Sequence, residues 1–221
     1  MKKVAVVLSG CGVFDGAEIY ESTLTLLNLD RLDLPYQCLA PNIPQMHVIN
    51  HLTGEVMEAE SRNVLVEAAR IARGEIQDLA TAKAEDFSAV IFPGGFGAAK
   101  NLCNFAVKGP DCDVNPEVER FISEALQAKL PLGFICIAPA LMGKVAQRAG
   151  IKTSLTLGTG AEWAEKIEAM GQTHAACPVR EIVVDEANRM ISTPAYMEAG
   201  RISEAADGIE NLVKTLAAWL R

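Results

Sequence analysis

The stretch PLGFICIAPALM (residues 131–142) joins a buried strand to a helix at one cysteine. The short apolar run that ends before Cys136 is typical of a strand covered on both faces, and a helical run begins just after the cysteine. Pro139 suits the first turn of a helix, where its missing N–H is not needed, and Gly133 allows another element to come close. The stretch therefore predicts a sharp turn that holds the cysteine out above one edge of a sheet.

The same alternation of strand, loop and helix occurs at two other places. KVAVVL (residues 3–8) precedes a glycine-containing turn and a helical pattern over residues 18–29, and AVIF (residues 89–92) precedes PGGFGAAKNL. Each of these strands is apolar throughout, as expected for a parallel sheet with helices on both faces. The sequence thus predicts an α/β fold, built as a three-layer sandwich.

The C-terminal half fits this architecture. Residues 115–116 (Asn-Pro) are a typical helix start before EVERFISEALQAK. EIVVDEANRMISTPAY (residues 181–196) predicts two short strands joined by a turn at residues 186–188. Residues 201–220 then predict a closing amphipathic helix.

The chain is expected to form a single domain over residues 1–221, because no segment resembles a linker. The least regular part is residues 41–79, which hold two of the three histidines and a helix predicted over residues 62–72.

The composition argues against several classes of partner. A net charge of -8 and a pI near 5.0 predict a globular protein that repels nucleic acid and anionic membranes. The N-terminal apolar run is too short for a signal sequence and is interpreted as a strand. Six cysteines without a CxxC pair or a zinc-like histidine spacing predict a reduced, cytoplasmic protein without a metal site.

Cys136 has two interpretations at this point. The helix behind it directs N–H groups and a positive dipole end at the sulfur, and such sites can lower a thiol pKa from ~8.5 to ~3.5–7.5. That environment suits a nucleophilic thiolate. The alternative is a small buried core residue, which cysteine often is. The strand–cysteine–helix pattern alone does not distinguish a nucleophilic thiolate from a buried core residue.

Two neighbouring strand-end loops offer groups that could assist a thiolate. The amides of FPGGFG (residues 92–97) could face an oxyanion together with the N–H of Ile137, although glycine turns after strands are also common as purely structural features. Glu18 and Glu21 open the first helix three residues apart, so one of them could turn toward the sulfur. In the ordinary case both complement the helix dipole in water.

Taken together, the motifs LSGCGVFDGAEIYE, INHLTGE, FPGGFGAAKNL, GFICIAPA and CPVREIVVDEANRMISTPAYM resemble the ElbB family. These are isoprenoid biosynthesis proteins with an amidotransferase-like domain, a branch of the ThiJ/PfpI class I glutamine amidotransferase-like superfamily. The resemblance covers nearly the whole chain, and it implies that the part around residues 41–79 is a family-specific insertion that the wider superfamily lacks. It implies a flavodoxin-like sandwich, commonly a homodimer, with a cysteine at a nucleophile elbow and a glutamate from the first helix beside it.

Matching by motif assigns these roles to individual residues. Cys136 matches the elbow cysteine. The position of the family's glutamate favours Glu21, with Glu18 as the alternative. The backbone N–H groups of Gly95 and Ile137 match the oxyanion donors.

The resemblance implies a cofactor-independent glyoxalase that converts small dicarbonyls such as methylglyoxal or glyoxal into 2-hydroxy acids. The alternative is a redox-sensing or binding protein linked to stress or isoprenoid metabolism. Glutaminase activity is not expected, because the late H-x-E sequence of true amidotransferases is missing. The base is then Glu21, Glu18 or His51, and Asn50 and Cys11 are further candidates for the same pocket. His51 could equally be an ordinary loop histidine, and Cys11 a small buried residue.

Overall fold

A mostly parallel sheet forms the centre of the computed structural model, which describes residues 2–221. Its strands follow the order β3-β2-β1-β4-β5-β9-β8, and a separate small sheet pairs β6 with β7. The strands are β1 (Lys3–Val7), β2 (Tyr36–Ala40), β3 (Ile76–Asp78), β4 (Phe87–Phe92), β5 (Leu132–Ile135), β6 (Ser154–Leu155), β7 (Thr173–His174), β8 (Val183–Asp185) and β9 (Met190–Thr193).

Helices flank this sheet. They are α1 (Ile19–Arg31), α2 (Val64–Ile71), α3 (Phe96–Lys100), α4 (Phe105–Lys108), α5 (Pro116–Gln127), α6 (Ala138–Ala149), α7 (Ala161–Ala169) and α8 (Ile202–Ala218). Short 3-10 turns lie at Leu79–Thr81, Ala84–Asp86, Gly109–Asp111 and Ala195–Met197. Within residues 2–221, none of the helices has the length and apolar character that a membrane crossing requires.

The predicted three-layer α/β fold is confirmed. All neighbours in the main sheet run parallel except β8, which pairs antiparallel with β9. The parallel order brings the ends of β1, β4, β5 and β9 to the same edge of the sheet, where strand-end loops meet. Cys136, Glu21 and Gly95 each follow one of these strands.

The central strands are buried because both faces are covered. Every residue of β5 is buried, and the rings of Phe92 and Phe134 stack at 5.3 Å across the β4–β5 pair. Gly133 has a packing reason: a Cβ there would lie 2.9 Å from Leu212 Cδ2 of α8. The missing side chain lets α8 close over β5 directly below the elbow.

Several elements were not predicted from the sequence. The strands β2, β3, β6 and β7 are short, and the irregular part around residues 41–61 contributes only isolated bridges, such as Ile49 with Val56. The helix predicted over residues 62–72 is the shorter α2, which Asn63 caps by accepting from Val66 N–H. The helix at Asn115, the turn after β8 and the C-terminal helix lie where they were predicted.

Replacing Gly133 with valine should lower the free energy of unfolding by about 1–3 kcal/mol, because the new methyl groups overlap Leu212. A urea titration of wild type and variant measures the change. The double variant Gly133→Val/Leu212→Ala should lose less than the sum of the two single losses, since the truncation removes the overlap. Simple addition of the two losses would contradict this packing explanation.

Candidate functional site

Cys136 sits in a strained turn between β5 and α6. Its φ is +62°, a left-handed value that residues with a side chain rarely adopt and that costs on the order of 1–3 kcal/mol. The turn is held by a hydrogen bond from the Cys136 N–H to the Thr193 carbonyl (3.0 Å), and Ile137 occupies the N-cap position of α6. The strand-to-helix elbow predicted from residues 131–142 is therefore present.

Glu21 lies against the sulfur of Cys136. Its carboxyl is fully buried, and it hydrogen-bonds the Cys136 side chain. Gly94 N–H donates to Glu21 Oε2 (2.9 Å), and Tyr196 N–H donates to Glu21 Oε1 (3.2 Å). Three strand-end loops and the first helix thus converge on one carboxyl group.

Glu18 takes a different position. It is the N-cap of α1, where its Oε2 accepts a hydrogen bond from Glu21 N–H (2.6 Å). The helix begins at Ile19, one residue later than the pattern predicts, because Glu18 has extended backbone angles. The structure therefore brings Glu21 to the cysteine and leaves Glu18 at the helix start, facing the cavity beside it.

Two backbone amides reach the sulfur of Cys136. Both Gly95 N–H and Ile137 N–H hydrogen-bond Cys136. Gly95 has a φ of +91°, and a Cβ on it would lie 2.4 Å from Glu18 N. A Cβ on Gly94 would lie 2.4 Å from Cys136 Cβ. The two glycines are therefore required for the loop after β4 to approach the cysteine this closely.

The electrostatics of the pair differ from the sequence prediction. Burial raises the pKa of Glu21 to about 8, and the charge of Glu18 adds to the effect against the hydrogen bonds from Tyr196, Cys136 and Gly94. Burial, followed by the charge of Glu21, also raises the pKa of the Cys136 thiol, although the Gly95 and Ile137 amides oppose the shift. The prediction that the helix terminus makes Cys136 a ready thiolate is wrong for the resting site, because loss of solvent outweighs the helix dipole.

The raised pKa values of Cys136 and Glu21 determine which of the two groups carries a proton. With both pKa values raised, Glu21 keeps a proton near neutral pH, and a protonated carboxyl can donate to a sulfur anion. The thiolate therefore gains stability when Glu21 is neutral and loses it when Glu21 is charged. The two groups act as a coupled acid–thiol pair.

A cavity of about 280 Å³ opens beside this pair. Its lining residues are Val13, Glu18, Gly95, Phe96, Cys136, Ile137, Trp163, Tyr196 and Met197. Most of this surface is apolar, and among the described residues that line it there is no lysine, arginine or histidine. The cavity is suited to a small, uncharged molecule.

His51 lies outside this cavity and orders a loop instead. Its Nε2 accepts from Phe14 N–H (3.2 Å) and lies 3.8 Å from Asp15 Oδ1, while its Nδ1 lies 3.0 Å from the Ile49 carbonyl. Its ring also packs on Phe14 at 5.0 Å. His51 therefore braces the loop after β1 from its outer side, and the expectation of a pocket histidine is not met.

Asn50 and Cys11 are likewise absent from the cavity wall. Asn50 Oδ1 accepts from Leu52 N–H (3.0 Å) within a turn, which is a local structural role. Cys11 is half-buried, and burial followed by the charge of Glu67 raises its pKa. Its side chain thus belongs to the neighbourhood of α2 and is not part of the Cys136 site.

Sequence reasoning missed the aromatic wall of the cavity. Tyr196 follows the end of β9, so the rule that sites form at strand ends could have found it once β9 was placed beside β5. Trp163 lies on α7 and carries no sequence signal that links it to Cys136. Phe96 lies in the glycine loop, but only its half-exposed position shows that it faces the cavity.

Comparison with known proteins identifies relatives of the whole chain. A human protein named glutamine amidotransferase-like class 1 domain-containing protein 3, mitochondrial, is 48% identical over 217 residues, which cover 96% of this chain and 81% of the human one. An isoprenoid biosynthesis protein with amidotransferase-like domain from Ehrlichia chaffeensis has a crystal structure with a TM-score of 0.91 and 36% identity, covering 98% of this chain and 99% of the other. The chain belongs to the ElbB family.

The ElbB assignment confirms the resemblance seen in the motifs, although no protein-family model matches the chain. A DJ-1 superfamily protein from Salmonella typhimurium is 25% identical with a TM-score of 0.57, covering 100% of this chain and 90% of that protein. The ElbB chain therefore has the flavodoxin-like fold and the superfamily that the sequence indicated.

The stability of this ElbB protein should depend on pH through Glu21. An unfolded glutamate loses its proton near pH 4.5, whereas the folded one keeps it up to about pH 8, so between these values the folded state binds more protons and loses stability as pH rises. The limiting slope for one proton is about 1.4 kcal/mol per pH unit. Urea titrations from pH 5 to pH 9 should show the stability of wild type falling relative to Glu21→Gln within this window.

Glu85→Gln, a change at an exposed carboxyl, is the matched control for that experiment. If the difference between wild type and Glu21→Gln is constant from pH 5 to pH 8, Glu21 is not held protonated in the folded protein.

Proposed function

We propose that this protein is a cofactor-independent, glyoxalase-type enzyme that converts a small 2-oxoaldehyde into a 2-hydroxy acid through Cys136. The observation that supports the proposal most is the buried Glu21 carboxyl in hydrogen-bond contact with the Cys136 side chain, next to an apolar cavity. A thiol and a carboxyl in contact supply a nucleophile and a proton carrier without a histidine.

The first step forms a carbon–sulfur bond. The Cys136 sulfur adds to the aldehyde carbon of the substrate, and the thiol proton ends on the former aldehyde oxygen, which gives a hemithioacetal. The Gly95 and Ile137 N–H groups, which contact the sulfur in the resting site, lie within reach of that oxygen while it carries negative charge. Both donors are fixed by the backbone and need no rearrangement.

The second step moves a proton between neighbouring carbons. Glu21, in its ionised form, takes the proton from the carbon bonded to sulfur, and an enediolate forms whose negative charge lies on the former ketone oxygen. The same carboxyl returns the proton to the adjacent carbon, and the hydroxyl proton of the sulfur-bonded carbon passes to the former ketone oxygen, which leaves a thioester of a 2-hydroxy acid. Water then cleaves the carbon–sulfur bond, releases the acid and restores the thiol. A carboxyl with a pKa of about 8 can both hold and release a proton near neutral pH.

We further propose that the substrate is a small aldehyde or dicarbonyl and that no cofactor takes part. The protein is proposed to act as a homodimer that binds neither nucleic acid nor a membrane. All six cysteines are free thiols, which favours a reducing compartment such as the cytoplasm. The human relative is named as mitochondrial.

Replacing Cys136 with alanine should abolish lactate formation from methylglyoxal, because the bond-forming atom is removed. Glu21→Gln should lower kcat by about 10²–10⁴-fold, the usual contribution of general acid–base catalysis. Lactate is measured enzymatically after incubation with methylglyoxal. Cys38→Ala, which removes a buried thiol from β2, is the matched control and should retain turnover.

Unchanged lactate formation by Cys136→Ala would refute the proposed mechanism.

A second candidate function would then stand, the sensing of oxidants at Cys136. A sulfinate on this residue could accept hydrogen bonds from Gly95 N–H, Ile137 N–H and a protonated Glu21. These hydrogen bonds would stabilise the sulfinate and so favour partial oxidation of the thiol. Peroxide would add oxygen atoms to Cys136 in wild type and not in Glu21→Leu, which lacks the hydrogen-bond donor.

The charge of the cavity predicts which dicarbonyls are accepted. Glu18 is the only acidic residue that lines the cavity among the described residues, and nothing there balances a substrate carboxylate. At pH 8, 4,5-dioxopentanoate should have a kcat/KM at least about tenfold below that of an uncharged 2-oxoaldehyde of similar length, equivalent to 1.4 kcal/mol.

Glu18→Gln should narrow that difference, because it removes the negative charge from the cavity wall. The change also removes the charge that helps raise the pKa of Glu21, but this acts on both substrates alike, so the ratio of the two kcat/KM values is the measure. Lactate-type products are quantified by chromatography for both substrates. A preference that does not change in Glu18→Gln would show that the discrimination has another cause.

A further inference from the structure

Two cysteines contact each other outside the site described above. Cys103, which follows α3, and Cys112, which follows the turn at Gly109–Asp111, are both buried, and their side chains are in hydrogen-bond contact. The Cys103 thiol also contacts the Ala98 carbonyl (3.4 Å). Neither residue lines the Cys136 cavity, and the proposed reaction uses neither of them. Two free thiols in contact are a structural precondition for a disulfide.

The backbone holds the two cysteines together. Cys103 forms an isolated antiparallel bridge with Val114, and Asn104 N–H donates to the Asp113 carbonyl (3.0 Å). Asp113 N–H in turn donates to Asn104 Oδ1 (2.7 Å). Because Cys103 pairs with Val114, Cys112 lies diagonal to Cys103 on the same face of this short pairing, which places the two side chains next to each other.

The two thiols are not equivalent. The hydrogen bond from Cys103 holds the pKa of Cys112 below its ordinary value, and the nearby cations Lys144 and Arg148 on α6 act in the same direction against burial. The Cys103 thiol has a raised pKa, because of its hydrogen bond to Cys112 and its burial. Cys112 is therefore the sulfur that reacts as a thiolate, and Cys103 keeps its proton.

We propose that Cys103 and Cys112 form a reversible intrachain disulfide when the protein meets a hydroperoxide. The Cys112 thiolate attacks one peroxide oxygen, the O–O bond breaks, and a sulfenic acid and an alcohol form once the alkoxide takes a proton. The Cys103 sulfur then displaces the hydroxyl group, which leaves as water with the Cys103 proton. The two sulfurs lose two electrons to the peroxide, and one S–S bond is formed.

The two cysteines lie next to elements that carry aromatic residues of the Cys136 cavity. The turn at Gly109–Asp111 packs against α7, which carries Trp163, and Lys144 Nζ donates to the Pro110 carbonyl (3.0 Å). The helix α3, which begins at Phe96, ends shortly before Cys103. The disulfide would thus join the segment that begins at Phe96 to the turn that packs against the helix of Trp163.

The test uses the full chain with Cys136→Ala, which removes the competing thiol. The protein is treated with hydrogen peroxide, and free thiols are then blocked with N-ethylmaleimide. We expect a species lacking two maleimide adducts, with a peptide that links Cys103 to Cys112 and is cleaved by dithiothreitol. Adding Cys103→Ser or Cys112→Ser should abolish this species, and adding Cys38→Ser should not.

A second measurement addresses the folded state. Closing a loop of this length should raise the melting temperature of the oxidised protein by about 5 °C, and the Cys103→Ser variant should show no such rise. The proposal is overturned if the folded protein forms no disulfide, if the link joins other cysteines, or if it forms only after unfolding in urea.

Discussion

A buried carboxyl group with three contacts organises this molecule. Glu21 lies in the interior between the amides of Gly94 and Tyr196 and the sulfur of Cys136. A buried carboxyl without partners costs several kcal/mol, so each of these contacts is needed to keep the first helix in place. Burial of this carboxyl also constrains the loop after β4. That loop reaches the carboxyl only with glycine at position 94, because a Cβ there would lie 2.7 Å from Glu21 Oε2.

The same burial determines the chemistry of the site. A helix N-terminus usually favours a thiolate, yet here desolvation is the stronger effect on Cys136, and the neighbouring carboxyl adds to it. The amides of Gly95 and Ile137 limit the shift without reversing it. Cys136 and Glu21 therefore form a pair that can exchange a proton. Among the described residues that line the cavity beside them, there is no lysine, arginine or histidine to balance a negative charge. Such a pair suits proton transfer on a small neutral carbonyl compound better than hydrolysis by a permanent thiolate.

Local patterns account for the parts that were predicted correctly. The strands β1, β4 and β5 are apolar throughout because they are covered on both faces, and the cap at Asn115 depends only on its own side chain and the N–H groups of Glu117 and Val118. The strands β2, β3, β6 and β7 were missed, since short strands lack enough residues for a period to show. His51 was expected in the pocket because of its chemistry alone, whereas its contacts belong to the outer side of the loop after β1.

The chain's own order of residues was enough to establish the α/β class, the elbow at Cys136 and the family, because each depends on short motifs whose residues are neighbours in sequence. The choice of Glu21 over Glu18, the raised pKa values and the aromatic cavity wall required the folded chain. Glu21 and Tyr196 are 175 residues apart in sequence, and nothing local to either one encodes their contact. Packing alone brings such groups together, and the burial that packing creates sets their protonation.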